Sequence, residues 1–222
     1  MNARHSVSAA LVLALVSSAS AFAQGASAPR ASEPKWYLAA VGGAVSRPPT
    51  GPVFGVEIAE NIARHVQAYA NFSYFDNLMD ESLRNALDAR AVQLTSLTST
   101  PWSFSGRDRG MSFVAGGKYL FGNGTIRPYV GGGAGIINLK REVVEARLGD
   151  VTQAVFNDYH LGEADLSLST LGVTTSLVEA AVGIGIGSGR THFDVGYRYR
   201  SAFGLTNKLD FSTVTAGIGY RF

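Results

Sequence analysis

The sequence predicts an all-β chain, an eight-stranded antiparallel up-and-down β-barrel, and three observations predict it. Apolar and polar residues alternate with a period of two in eight separate segments, the signature of strands with two unlike faces. The connectors between those segments switch between tight and long. After residue 23 no apolar stretch approaches the roughly 18 residues that a membrane-spanning helix requires. Composition narrows the reading further. Glycine is abundant, 26 of 222 residues, without the three-residue period of collagen. Cysteine is absent, which excludes disulfides, thiolate nucleophiles and cysteine metal sites. Lys and Arg number 19 against 17 Asp and Glu with no basic run, so nucleic acid is not an expected partner.

The N-terminus reads as an address. Arg4 supplies a basic start, Val7 to Val16 is almost wholly apolar, and Ala21-Phe22-Ala23 closes it as a cleavage site. Residues 1–23 are therefore expected to be a secretory signal peptide and 24–34, rich in Ala, Ser, Gly and Pro, a flexible lead-in. Residues 35–222 remain for the barrel.

The first strand, Trp36 to Val45, has small or apolar residues at both parities, so its faces are ambiguous. In the second, Phe54, Val56 and Ile58 alternate with Gly55, Glu57 and Ala59. The third sets Val66, Ala68, Ala70, Phe72 and Tyr74 against His65, Gln67, Tyr69, Asn71 and Ser73. The fourth, Met111 to Leu120, sets Phe113 and Tyr119 against Ser112 and Lys118. The fifth runs from Ile126 to Ile136, with Arg127 and Tyr129 on its glycine-rich side. In the sixth, Val178 to Ile186 alternates with Glu179 and glycines. Phe193, Val195, Tyr197 and Tyr199 then alternate with Asp194, Arg198 and Arg200, and Val214 to Phe222 with Thr213, Thr215 and Arg221. Gly122-Asn123-Gly124 is a tight turn. The long connectors, 76–108 and 138–170, fall together on the opposite end. Short turns at one end and long loops at the other are the plan of an outer-membrane barrel, with both termini periplasmic.

The charged residues decide which face is wet. A soluble barrel buries its apolar face and shows dense charge to water, whereas a membrane barrel turns its apolar face to lipid. Here the polar faces carry a few long charged side chains among glycines: Glu57, Lys118, Arg127, Glu179, Asp194, Arg198, Arg200 and Arg221. Small residues make room for them in a narrow interior, where charges must be paired or hydrated. Phe72 and Tyr74 near one end, with Tyr119, Phe121, Tyr220 and Phe222 near the other, fit two aromatic girdles. A transmembrane, outer-membrane barrel is expected.

The segments Trp36-Tyr37-Leu38, Lys118-Tyr119, Arg127 to Gly133, Asp194 to Tyr199 and Gly217 to Phe222 together resemble the small eight-stranded outer-membrane barrels. That family includes the OmpA transmembrane domain, OmpX and the opacity-type proteins, and the resemblance spans about 35–222. It implies that Tyr220 and Phe222 act as the signal read by the outer-membrane insertion machinery. It also implies a setting of outer-membrane lipid and lipopolysaccharide. Where OmpA continues into a C-terminal peptidoglycan-binding domain, none is expected after Phe222.

Function is less legible. Eight strands leave room for side chains or one small ligand, so a structural or narrow, weakly porin-like role is expected, with anion preference if water threads the interior. An alternative is surface binding, to an extracellular ligand or host surface, through loops 76–108 and 138–170. Leu78, Leu83, Leu87 and Ala91 predict a short amphipathic helix over 78–92, and Val144, Leu148, Val151 and Val155 a similar pattern over 142–156. A lipid A-modifying enzyme is a further, weaker alternative. It would need a serine beside a histidine, and His65, His160 and His192 offer none on a strand, so no catalytic, cofactor or metal residue is expected. A monomer is expected, since a barrel has no open edge.

Overall fold

The computed structural model describes residues 36–46, 50–79, 81–151, 172–188, 190–203 and 209–222. The expected signal peptide (1–23) and lead-in (24–34), and His160, lie outside the described residues. The described residues form one antiparallel, barrel-like sheet of nine strands. They are β1 (Trp36–Val45), β2 (Pro52–Ala63), β3 (Val66–Phe75), β4 (Phe104–Leu120), β5 (Ile126–Glu145), β6 (Gly149–Asp150), β7 (Val173–Ser188), β8 (Thr191–Phe203) and β9 (Leu209–Arg221). Among the described residues, one helix, α1 (Glu81–Thr98), stands between β3 and β4.

Each long strand pairs with two neighbours. β1 pairs with β2 and with β9, β4 with β3 and β5, and β5 with β4 and β7. At the chain ends, Trp36 and Phe222 exchange two backbone hydrogen bonds. Eight strands were expected. The ninth is the two-residue β6, which pairs only with Val144 and Glu145.

The period of two survives as burial. On β3, Gln67, Tyr69, Asn71, Ser73 and Phe75 are buried, while Phe72 is exposed. On β8, Asp194, Arg198 and Arg200 are buried beside exposed Phe193, Val195, Tyr197 and Tyr199. On these strands the charged residues are thus on the inner face, and the outer face is apolar. On β1, where sequence left the faces open, Tyr37, Ala39, Val41 and Val45 turn inward and Trp36 and Leu38 outward. The choice is made by register: Ala39 sits opposite Glu57 of β2.

Tight turns close one end of the sheet. Arg64-His65 joins β2 to β3, and Gly122, with φ +78°, opens the turn into β5. A side chain is strained at that angle, which glycine tolerates.

The opposite end differs from expectation. β4 begins at Phe104 and β5 continues to Glu145, so parts of both presumed loops are a continuous hairpin extension, Phe104 pairing with Glu145 and Gly110 with Leu139. The helical pattern expected over 142–156 is overturned as far as it is described. Residues 142–145 are strand, a turn follows, and 149–150 fold back as β6. Val143 is buried by alternation in the ladder, opposite Gly106. The spacing of Val144, Leu148 and Val151 came from a strand, a turn and a return strand. The remainder of that segment, 152–156, lies outside the described residues. The first helical expectation holds with shifted bounds, 81–98 instead of 78–92. Leu78 precedes the helix and packs into the main core, while Leu87 joins Met79 and Val143 in a second cluster beneath α1.

Candidate functional site: the charged interior

Inward alternation brings the charged side chains of β2, β4, β7 and β8 to one place. The Glu57 carboxylate accepts hydrogen bonds from the Tyr37 hydroxyl, from Lys118 Nζ, and from an Arg198 terminal nitrogen at 2.6 Å. The other terminal nitrogen of Arg198 lies 3.4 Å from Glu179 Oε1, which also accepts from the Tyr69 hydroxyl at 2.8 Å. Glu179 Oε2 accepts from Arg200 Nε at 2.6 Å, and Arg200 reaches on to Asn71 Oδ1 at 3.4 Å. Glu57, Lys118, Glu179, Arg198 and Arg200 are all at most 5% exposed. Two glutamates and three cations therefore form one continuous buried chain.

Asp194, the third acid, stands one step aside. It accepts from the Tyr129 hydroxyl at 3.0 Å. Lys118 lies over the faces of Tyr69 and Tyr129, 5.1 and 4.8 Å from the ring centroids, a cation–π arrangement. Glycine makes this geometry possible: a Cβ at Gly183 or Gly196 would come within 2.5 Å of the Tyr129 hydroxyl.

Arg127 and Arg221 belong to a different part of the interior. With Lys118, His192, Asp194 and Gln67 they line a small cavity at the tight-turn end, with free space of about 10 Å³, room for a single water. There Arg221 contacts His192 Nδ1 at 2.9 Å.

Toward the long-connector end the interior carries an apolar layer. Val45, Val53, Phe75, Leu78, Leu139 and Phe211 belong to one buried cluster, each at most 3% exposed. Phe75 and Phe211 meet edge to face at 5.2 Å, and the Arg200 guanidinium lies 5.1 Å from the Phe75 ring. The apolar layer therefore rests directly on the ion-pair chain.

Sequence reasoning named the charges and missed what organises them. Tyr37, Tyr69 and Tyr129 each hydrogen-bond a carboxylate inside the sheet, and their parity with Glu57, Asn71 and Arg127 was the available signal. Also missed was the buried pair Asp108–Arg141, two N–H···O bonds of 2.7 Å each, because those residues were assigned to loops. Tyr220 and Phe222 both lie on the exposed face. Of the three histidines considered for catalysis, His65 Nδ1 lies 3.0 Å from the Leu120 carbonyl oxygen and His192 lies against Arg221. Among the described residues no group of three or more His, Asp or Glu has the placement of a metal site.

No family model matches this chain, and no curated protein does. Solved structures do. Neisserial surface protein A (NspA) superposes with a TM-score of 0.52 at 13% identity, covering 84% of this chain and 96% of that one. Ail, the attachment invasion locus protein of Yersinia pestis, gives a TM-score of 0.47 at 13% identity, over 86% of this chain and 98% of that one. The N-terminal β-barrel domain of Pseudomonas aeruginosa OprF gives 0.47 at 12%, over 86% and 98%. At such identities the likeness is one of fold alone, and the NspA match carries it: this is the fold of a small outer-membrane β-barrel.

Proposed function

We propose that this chain is an outer-membrane protein whose barrel is closed by eight strands and sealed inside, serving as a rigid scaffold for the structure at its long-connector end. The β1–β9 and β4–β5 pairings support closure, with β6 an appendage outside the ring. The apolar outer face supports immersion in lipid. Phe54, Val56, Ile58, Val130, Val182, Ile184, Val195 and Ile218 are each at least 40% exposed, far more apolar surface than a water-soluble sheet shows. Both termini would then sit at the periplasmic, tight-turn end, and Tyr220 and Phe222 would present the insertion signal there.

The observation that carries the scaffold reading is the double seal. Ions entering from the tight-turn end meet Glu57, Lys118 and Arg198, already locked to one another. Beyond them lies the apolar layer around Phe75 and Phe211, whose rings cannot replace hydration water. An extracellular ligand would meet this protein at the exposed loop end, where α1 leaves Val92 and Leu97 open, and not inside.

Planar-bilayer recording tests this. The full-length mature protein, with folding checked by circular dichroism, should insert without discrete conductance steps. Steady single-channel steps from the folded protein would overturn the sealed-scaffold reading and restore the narrow pore, with reversal potentials then reporting its ion preference.

A further inference from the structure

The cavity at the tight-turn end is more positive than a bound water requires. Three cations line it, Lys118, Arg127 and Arg221, against one acid, Asp194. The glutamates deeper inside are committed elsewhere, Glu57 to Lys118 and Arg198, and Glu179 to Arg198 and Arg200. Setting Lys118 against Glu57 still leaves both arginines facing Asp194 alone, an excess of positive charge at the mouth of the interior. Arg127 is half-buried, yet it makes no hydrogen bond or ion pair with a described residue.

The walls hold further donors in place. A guanidinium only donates, so the 2.9 Å contact from Arg221 makes His192 Nδ1 an acceptor. The imidazole is then neutral, with its N–H at Nε2 as a donor. Two inward glycines of β7 give these groups their room. A Cβ at Gly185, which also lines the cavity, would stand 2.9 Å from His192 Cε1, and one at Gly187 would collide with the Arg221 guanidinium. Outside the cavity, at the same end of the sheet, Arg64 and Arg190 are engaged with Asn123 and with the Tyr220 hydroxyl.

We propose that this cavity binds a single halide ion, held by Arg127 with Arg221 and the neutral His192, and bounded on its inner side by Lys118. Size selects the ion. The space admits one water-sized body, and a halide is little larger, whereas a tetrahedral oxyanion is far too large. Charge selects an ion over a water. A cleft lined by one sign of charge between low-dielectric walls concentrates its counter-ion, and hydrogen bonds between cationic donors and an anion are stronger than those to a neutral acceptor. The site goes beyond the scaffold reading and agrees with it, because an ion that stops at Lys118 binds without crossing the seal.

Chloride NMR tests this on the full-length mature protein in nonionic micelles, with gluconate holding the ionic strength constant. Exchange with a site on the protein broadens the chloride line. Bromide should remove the excess width, and sulfate at equal ionic strength should leave it. The R127Q variant should bind chloride about tenfold more weakly, the loss of one charged donor. The R64Q/R190Q variant, which removes more charge from the same end, should bind as the unaltered protein does. A chloride line that the folded protein does not broaden would overturn the site. So would displacement by sulfate as readily as by bromide, or equal loss in R64Q/R190Q, since each would show general attraction to a cationic surface. Circular dichroism checks folding in every sample, and the bromide–sulfate comparison needs no variant. Conductance reads the seal and the chloride linewidth reads the site, so either can fail without the other.

Discussion

Glu57 is the residue on which the interior turns. Two cations and a tyrosine hydroxyl converge on one carboxylate that is 2% exposed. A buried pair is a weak source of net stability, because desolvation offsets most of the attraction. Breaking it is a different matter, because the partner charges stay buried. Glu57→Gln keeps the volume, removes the negative charge and leaves Lys118 and Arg198 without the carboxylate they share. It should cost about 3 kcal/mol, the lower end of the range for removing one partner of a buried pair. Urea unfolding in micelles followed by circular dichroism measures it, and a loss below about 1 kcal/mol, typical of a surface pair, would show instead that water reaches the interior.

The β4–β5 extension shows how an element outgrows its sequence signal. Alternation continues past Met111 and Ile136, but its inward residues change from glycine and apolar types to Asp108, Arg141 and Glu145, which read as loop polarity. Register converts them into a strand pair. Glu145 ends the extension by accepting hydrogen bonds from the backbone N–H groups of Arg147 and Leu148, both at 2.8 Å. It lies beyond the exposed apolar band. Burial pushes its carboxyl up, yet those two N–H donors and the Arg147 charge outweigh burial and hold it below its ordinary 4.5. A depressed carboxylate stabilises the fold fully above its unfolded-state value and loses that contribution as pH falls through the folded-state value. Amide protection at Arg147 and Leu148 should therefore be constant from neutral pH down to about the ordinary carboxylate range and drop below it. Hydrogen exchange followed by NMR reads this directly, and Glu145→Gln should abolish the pH step. A step that persists in the variant would assign it to another group.

At the scale of the whole molecule, the two tryptophans report immersion. Trp36 is exposed at the tight-turn end of the apolar face, beside Phe222. Trp102 sits at the loop end, stacked on Phe104 with Arg147 5.0 Å from its ring. A barrel lying in a bilayer to the depth of its apolar band places Trp36 at the lipid interface and Trp102 in water. Brominated phospholipids should quench Trp36 in a Trp102→Phe variant, and aqueous iodide should quench Trp102 in a Trp36→Phe variant. The reverse pattern would refute the proposed orientation of the chain in the membrane.

The sequence by itself determined the faces of the strands after β1, the tight turns and the charged residues of the Glu57–Arg200 chain, because period-two alternation and glycine at a positive φ are local properties of the chain. Tertiary structure alone decided which charge meets which. Glu57 and Arg198 lie 141 residues apart and come together only through the stagger of all the intervening strands. It also decided the inward face of β1, settled by its neighbours in register, and the apolar layer, whose members are scattered from Val45 to Phe211. Alternation says that a side chain points inward. Only the registers of the pairings around the sheet say at what height, and the height is what makes one inward residue an ion-pair partner and another part of a seal.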